Sequence, residues 1–288
     1  MTGRVLIVAG SDSSAGAGIQ ADLKTVMAFG GYATTAITAL TALTAQNTLG
    51  VAGVLPVGPD FVRRQIETAL ADIGADAVKT GMLVDAAVVE TVANALETMA
   101  PAVPLVVDPV IASTSGAVLL DEPGVERLKR RLIAHAAVVT PNIPEAAILT
   151  GLTVADLDGM RRAADALLRL GARAVVVKGG HLPGDALIDL VTTPNDSFLL
   201  KARRQKTRAT HGTGCTYASA VAVGLAQGLA LRPAVERAHA FVQQAIRNAP
   251  GLGSGRGPLG HAPWPQRRTK GKHARRHRLH RRTRARRR

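Results

Sequence analysis

Along most of the chain, short runs of β-branched and aliphatic residues alternate with longer Ala- and Leu-rich stretches whose apolar positions recur at helical spacing. The runs predict strands over 4–9, 32–39, 77–80, 105–108, 137–140 and 174–178. The stretches beside them predict helices over 19–29, 59–71, 86–98, 125–133, 144–149, 157–170, 214–227 and 232–248. Between Ala186 and Leu200 the period shortens to that of a hairpin, with "TPND" as its turn. This order predicts an α/β fold in which helices cover both faces of a mostly parallel sheet and the late hairpin adds an antiparallel edge.

No interior stretch has the Pro, Gly and Ser density of a linker, so one domain is expected over 1–265. A hydrophobic content of 47% in 288 residues supplies its core. The net charge of +15 suggests a nucleic-acid binder until it is located along the chain. Of the 36 Lys and Arg residues, 13 fall in 267–288 among no acids, which leaves 23 basic against 21 acidic residues before them. The body is therefore close to neutral. The segment 266–288 has almost no apolar content and is expected to be a disordered basic tail, the one place where nucleic acid would bind. It lacks the interleaved aromatic residues that stack on bases, which favours a tail with no selected role. A single cysteine excludes an internal disulfide. No signal-peptide core and no bilayer-length apolar run is visible, so a cytoplasmic protein with no membrane partner is expected.

Chemistry gathers at the ends of the predicted strands. "AGSDSSAGAGIQADLKT" follows the first strand and contains Gly16, Gly18 and Ala21 at the G-x-G-x-x-A spacing of a dinucleotide site. An intervening "SDSSA" and the lack of an acid at the end of the second strand argue against that reading; the glycines better suit a loop wrapped over a small ligand. No P-loop pattern occurs. In "HGTGCT", Gly212 and Gly214 free the backbone at a helix start, so the N–H groups of Gly212, Thr213, Gly214 and Cys215 suit an anion hole for a phosphoryl group. A plain helix cap, with Thr213 as the capping hydroxyl, is the competing reading. "VVDPV" places Asp108 at a strand end, "TPNIPEA" places Asn142 and Glu145 there at a spacing that suits oxygen ligands of Mg²⁺, and "VVVKGGH" adds Lys178. Together they read as a Mg²⁺–nucleotide site.

These motifs, with "TAQNTLGV" and "KTGML", stand in an order that resembles the hydroxymethylpyrimidine/phosphomethylpyrimidine kinases of thiamin synthesis, within the ribokinase-like three-layer α/β/α fold. The resemblance runs from about Val5 to about His261. It implies transfer of phosphoryl groups from Mg·ATP to 4-amino-5-hydroxymethyl-2-methylpyrimidine and then to its monophosphate, and a homodimer is expected. It puts pyrimidine contacts on Gly10, Ala17, Asp22, Gln46, Met82 and Val110, ATP contacts on Asn142, Lys178 and Thr213, and the metal on Asp108 and Glu145. Relatives in the wider fold carry an Asp as base after the glycine turn, where this chain has Cys215. A thiol at a helix N-terminus has its anion favoured, so Cys215 is a candidate acceptor of the substrate proton.

Two departures from the family pattern stand out. "ITALTALTAQNT" holds an extra Thr-Ala-Leu before Gln46, and Ala15 stands where Gly is usual, which matters if that backbone needs a positive φ. His211 and His181 flank the candidate site, whereas Trp264 and the pairs Arg130/Arg131 and Arg161/Arg162 read as packing or solvated surface. A pyridoxal-type kinase is the alternative on the same fold, and a nucleic-acid-binding protein acting through its basic tail is the alternative of another class.

Overall fold

The computed structural model describes residues 2–40, 48–50, 53–113 and 116–263. Gln46, Trp264 and the basic tail lie outside the described residues. In chain order the elements are β1 (Arg4–Ala9), α1 (Gly18–Ala28), β2 (Tyr32–Ile37), β3 (Ala39–Leu40), β4 (Leu55–Pro56), α2 (Pro59–Asp72), β5 (Ala77–Thr80), α3 (Ala86–Met99), β6 (Leu105–Val107) and α4 (Glu122–Arg131). A 3-10 turn (Ile133–His135) leads to β7 (Val138–Val139), α5 (Ile143–Thr150), α6 (Leu157–Arg169), β8 (Val175–Val177), β9 (Ala186–Thr192), β10 (Ser197–Arg203), α7 (Thr213–Ala226) and α8 (Leu231–Arg247).

Eight strands form one sheet in the order β10-β9-β8-β7-β6-β5-β1-β2. All neighbours from β8 to β2 are parallel, and β9 runs antiparallel to both β8 and β10. The alternation of strand side chains sets the two cores. Leu6 and Val8 of β1 face the core shared with α2 to α6, while Val5, Ile7 and Ala9 face the one shared with α1, α7 and α8. In β8, Val175 and Val177 take the first side and Val176 the second. Because both faces are covered, these strands carry continuous apolar runs rather than alternating ones.

Helix starts follow local chemistry. Asp85, Asp121 and Asp156 each cap a helix by accepting a first-turn N–H, and α5 opens with a reciprocal capping box between Asn142 and Glu145. The helix expected from Val125 begins three residues earlier, because the Asp121 cap and the proline after Glu122 nucleate it there. The second strand ends at Ile37 rather than Ala39. The Thr38 hydroxyl donates to the Met82 carbonyl, and the chain then turns into β3, which pairs with β4 in a hairpin too short to show a period.

Candidate active site

The carboxyl ends of β1, β5, β6, β7 and β8 open on one edge of the sheet, where ligands of such folds collect. The N-terminus of α7 lies against this edge: a Cβ on Gly214 would stand 3.2 Å from Lys178 Nζ and 3.5 Å from Asp108 Oδ2. A larger residue there would crowd the Lys178 ammonium and lie in contact with the Asp108 carboxylate.

Asp108, just beyond β6, is 2% exposed and accepts from Lys178 Nζ at 3.2 Å and from the Thr140 hydroxyl at 3.4 Å. Burial alone would lower the Lys178 pKa; the charges of Asp108 and Glu145 outweigh it and hold the ammonium protonated. Glu145 is also buried. Burial pushes its carboxyl up to about 7 against the pull of Lys178, and the charge of Asp108 adds to the rise. The Asn142–Glu145 spacing, expected as a ligand pair, is in the structure a capping box. Asn142 Oδ1 accepts the Glu145 N–H at 2.9 Å, and Glu145 Oε2 accepts the Asn142 N–H at 2.8 Å. The Asn142 oxygen is thus committed to the helix start.

Two glycine-rich loops close the edge. In the loop after β1, the Asp12 carboxylate accepts the N–H groups of Ser14, Gly16 and Ala17 and the Ser14 hydroxyl, and His211 Nε2 lies 2.8 Å from its Oδ2. Although burial pushes Asp12 up, the bonds from His211, Ser14 and Ala17 prevail and hold it at about 2. Ala15 has φ +57°, so the backbone does take the left-handed form for which glycine is usual. In the second loop Gly212 has φ +81°, and a Cβ there would collide with the Gly16 carbonyl. The N–H and the hydroxyl of Thr213 both turn back to the Thr210 carbonyl, at 3.4 and 2.7 Å. The Thr213 hydroxyl thus donates back to the turn and caps no helix N–H, which leaves the Gly214 and Cys215 N–H groups as the open donors of the first helical turn.

Cys215 and Asp22 both lie in surroundings that differ from those their motif positions imply. Cys215 sits at the helix start, yet burial raises its thiol pKa to about 12; the nearby Lys79 charge opposes this, while Asp22 and Asp108 add to it. Cys215 is half-buried on the cavity wall, and the desolvation cost of a thiolate there opposes what the helix end returns and favours the thiol. Asp22, expected against the pyrimidine, has no exposed surface. Lys79 Nζ donates to its two oxygens at 3.0 and 2.9 Å and the Ser219 hydroxyl donates at 2.6 Å. Both oxygens are thus engaged inside the protein, the Ser219 contact lying one helical turn past Cys215.

A cavity of about 500 Å³ runs along the edge. Gly10, Ala17, Met82 and Val110 line it, as do Asp108, Asn142, Glu145 and Lys178. Gly212, Thr213, Gly214 and Cys215 stand on the same wall. Asp22 is not on the wall, and Gln46 is outside the described residues. Asp12 and Arg204 are among the wall residues that the sequence did not single out. Asp12 stood in a quoted motif but only its contact with a residue 199 positions away reveals it, and Arg204 donates to the carbonyls of Gly180, Leu182 and Gly184, fixing the loop that carries His181. Burial and the Lys178 charge lower the His181 pKa, so that imidazole is neutral at pH 7.

A family model described as phosphomethylpyrimidine kinase matches residues 12–260. The chain belongs to the phosphomethylpyrimidine kinase family. It is 50% identical over 258 residues to a hydroxymethylpyrimidine/phosphomethylpyrimidine kinase of Streptomyces coelicolor, covering 89% of this chain and 93% of that one. It is also 49% identical over 259 residues to a thiamine biosynthesis bifunctional protein of Geobacter sulfurreducens, with 90% of this chain aligned but only 52%, about half, of that longer protein. Among solved structures, the phosphomethylpyrimidine kinase of Clostridium difficile superposes with TM-score 0.74 at 39% identity, covering 84% of this chain and 99% of that one. The pyridoxal kinase of Staphylococcus aureus in complex with AMP-PCP and pyridoxal superposes with TM-score 0.83 at 36% identity, covering 92% and 95%. A member of this family is a phosphotransferase, and the three-layer sheet described above is the ribokinase-like fold. No helix among the described residues is long and apolar enough to cross a membrane.

Proposed function

We propose that the cavity transfers the γ-phosphoryl group of ATP to the hydroxymethyl oxygen of 4-amino-5-hydroxymethyl-2-methylpyrimidine, and a second group to the monophosphate so formed. The observation that carries this reading is that one cavity is lined together by the apolar Met82 and Val110, by Lys178 with the buried carboxylates of Asp108 and Glu145, and by the first turn of α7. The adaptable Met82 and Val110 wall suits a flat methylpyrimidine, and Gly10 and Ala17 let backbone approach it. Lys178 and the Asn142 amide would hold ATP phosphates, and the Gly214 and Cys215 N–H groups would stabilise charge on the migrating group. Bond formation from the hydroxymethyl oxygen to phosphorus accompanies cleavage of the bond to the ADP oxygen, and the hydroxyl proton leaves to a phosphate oxygen or to solvent as the new bond forms.

The donor set fits Mg²⁺: two buried carboxylates, with Glu145 pushed up partly by the Asp108 charge, are what a divalent cation would relieve. Asp108 and Glu145 would hold it, and the metal would offset phosphate charge. With its thiol protonated, Cys215 donates a hydrogen bond near the acceptor rather than serving as its base. A loose transition state requires little base strength until the oxygen has bonded to phosphorus.

The test is a product assay with Mg·ATP and the hydroxymethylpyrimidine, separating mono- from diphosphate. The reading expects both products; absence of any pyrimidine phosphate refutes it. The likeness to pyridoxal kinases favours a second reading, and turnover with pyridoxal but not with the pyrimidine would establish that one in its place. We assign the kinase domain to 1–265, in the cytoplasm, with the tail 266–288 outside it as the sole candidate for nucleic-acid contact. Exposed Tyr32 on the edge strand β2, Leu55 on β4 and Phe61 in α2 support a homodimer, which sedimentation at the monomer mass would refute.

A further inference from the structure

Gly10 and Ala17 of the loop after β1 and Gly212 of the turn before α7 line the same cavity, and on the kinase reading the first loop would face the acceptor and the turn the phosphoryl group. What joins them is a buried charge. Asp12 is 3% exposed and takes three N–H groups of its own loop, which leaves its Oδ2 also facing His211 Nε2 at 2.8 Å. The packing around this contact has no slack: a Cβ on Gly16 would collide with the His211 ring, and one on Gly212 with the Gly16 carbonyl. The His211 backbone is fixed independently, its N–H donating to the Gly257 carbonyl at 3.1 Å. The Asp12 loop in turn is tied to α1 through Gln20, whose Oε1 accepts the Asp12 N–H, and through Lys24 on the Ala15 carbonyl. Each loop is thus anchored to its own side, and the Asp12–His211 contact sets the distance between them.

We propose that Asp12 and His211 are positioning residues that hold the acceptor loop against the phosphoryl turn, so that ATP is spent on the pyrimidine rather than on water. This rests on the kinase reading above. Transfer to the bound alcohol is sensitive to misplacement of the reacting atoms, whereas water that enters a loosened site reaches the in-line position without being placed there by either loop. Loosening the contact therefore costs transfer more than hydrolysis.

His211→Gln and His211→Asn separate position from mere presence of a polar side chain. A Gln amide reaches about as far as Nε2, and an Asn amide falls short. The measured quantity is the share of consumed ATP that appears as pyrimidine phosphate. His211→Asn is expected to lower that share about tenfold, as a small displacement of reacting groups does, while His211→Gln keeps most of it. Equal shares in wild type and His211→Asn, or equal losses in both variants, would overturn the proposal. Amide exchange at Ser14, Gly16 and Ala17 supplies a readout that needs no substrate: it should quicken in His211→Asn with β1 unchanged, and unchanged exchange there also counts against the proposal. A wild type that makes no pyrimidine phosphate but shows this exchange pattern would sink the kinase reading and leave the loop contact standing.

Discussion

Replacing Lys79 by Met removes half of an ion pair that has no exposed surface on either side. Met matches the aliphatic stem of Lys, so little cavity opens and the effect isolates the charge. Asp22 is left with the Ser219 hydroxyl at 2.6 Å and nothing to balance a carboxylate inside the core. Breaking a buried pair from one side costs about 3–5 kcal/mol, a large part of the roughly 5–15 kcal/mol that a domain has. For a chain of this size that lowers Tm by about 6–20 °C, read by calorimetry or circular dichroism. Burial already pushes the Asp22 carboxyl above its ordinary value, and losing Lys79 pushes it further. A carboxyl raised in the folded state loses stability as pH climbs through the interval between its unfolded and folded values. The deficit of Lys79→Met should accordingly be larger at pH 8 than at pH 4. Adding Asp22→Leu removes the stranded charge, and the double variant should regain most of the loss. A shift under about 2 °C for Lys79→Met, or a double variant no more stable than the single one, would refute the reasoning, because an ion pair dominated by desolvation cannot give either result.

Three further outcomes are expected. The Asp12 carboxyl, held at about 2 against an ordinary 3.8, contributes about 2 kcal/mol that is present above pH 4 and lost as pH falls toward 2; urea titrations across that window should show a steeper acid limb for wild type than for Asp12→Asn, and parallel limbs would contradict it. Ala15→Gly relieves a left-handed alanine and should raise stability by up to about 1 kcal/mol, a Tm gain of a few degrees; a lower Tm counts against the strain. With its thiol raised to about 12 from 9.0, Cys215 carries about a thousandfold less thiolate at pH 8 than an ordinary cysteine, so iodoacetamide labelling of the native protein should be far slower than that of the urea-unfolded chain, and equal rates would show the thiol is ionised.

Much of the fold was legible because its signals are local. Both cores rest on valine-rich strands whose runs end at Asp108, Asn142 and Lys178, and a parallel strand buried on both faces announces itself without reference to the rest of the chain. Helix starts were legible to within a few residues because Asp85, Asp156 and Asn142 cap their own first turns. The β3–β4 hairpin was not, since two residues per strand carry no period. The site divides in the same way. Gly10, Met82, Asp108, Glu145, Lys178 and Gly214 stand at strand ends or a helix start, and the topology of the sheet brings those ends to one edge and one cavity.

The sequence by itself determined which residues carry the chemistry and in what order the elements come, because side-chain period, capping and glycine turns act over a few neighbouring residues. The tertiary structure alone decided the state of those residues. Helix position suggested an ionised Cys215, and burial beside Asp22 and Asp108 made it a thiol. Motif position suggested a ligand contact for Asp22, and Lys79 and Ser219, 57 and 197 residues away, took its oxygens. Asp12 and His211 are ordinary loop residues until folding sets them 2.8 Å apart. Desolvation and long-range pairing depend on what surrounds a group in space, and no local pattern encodes that.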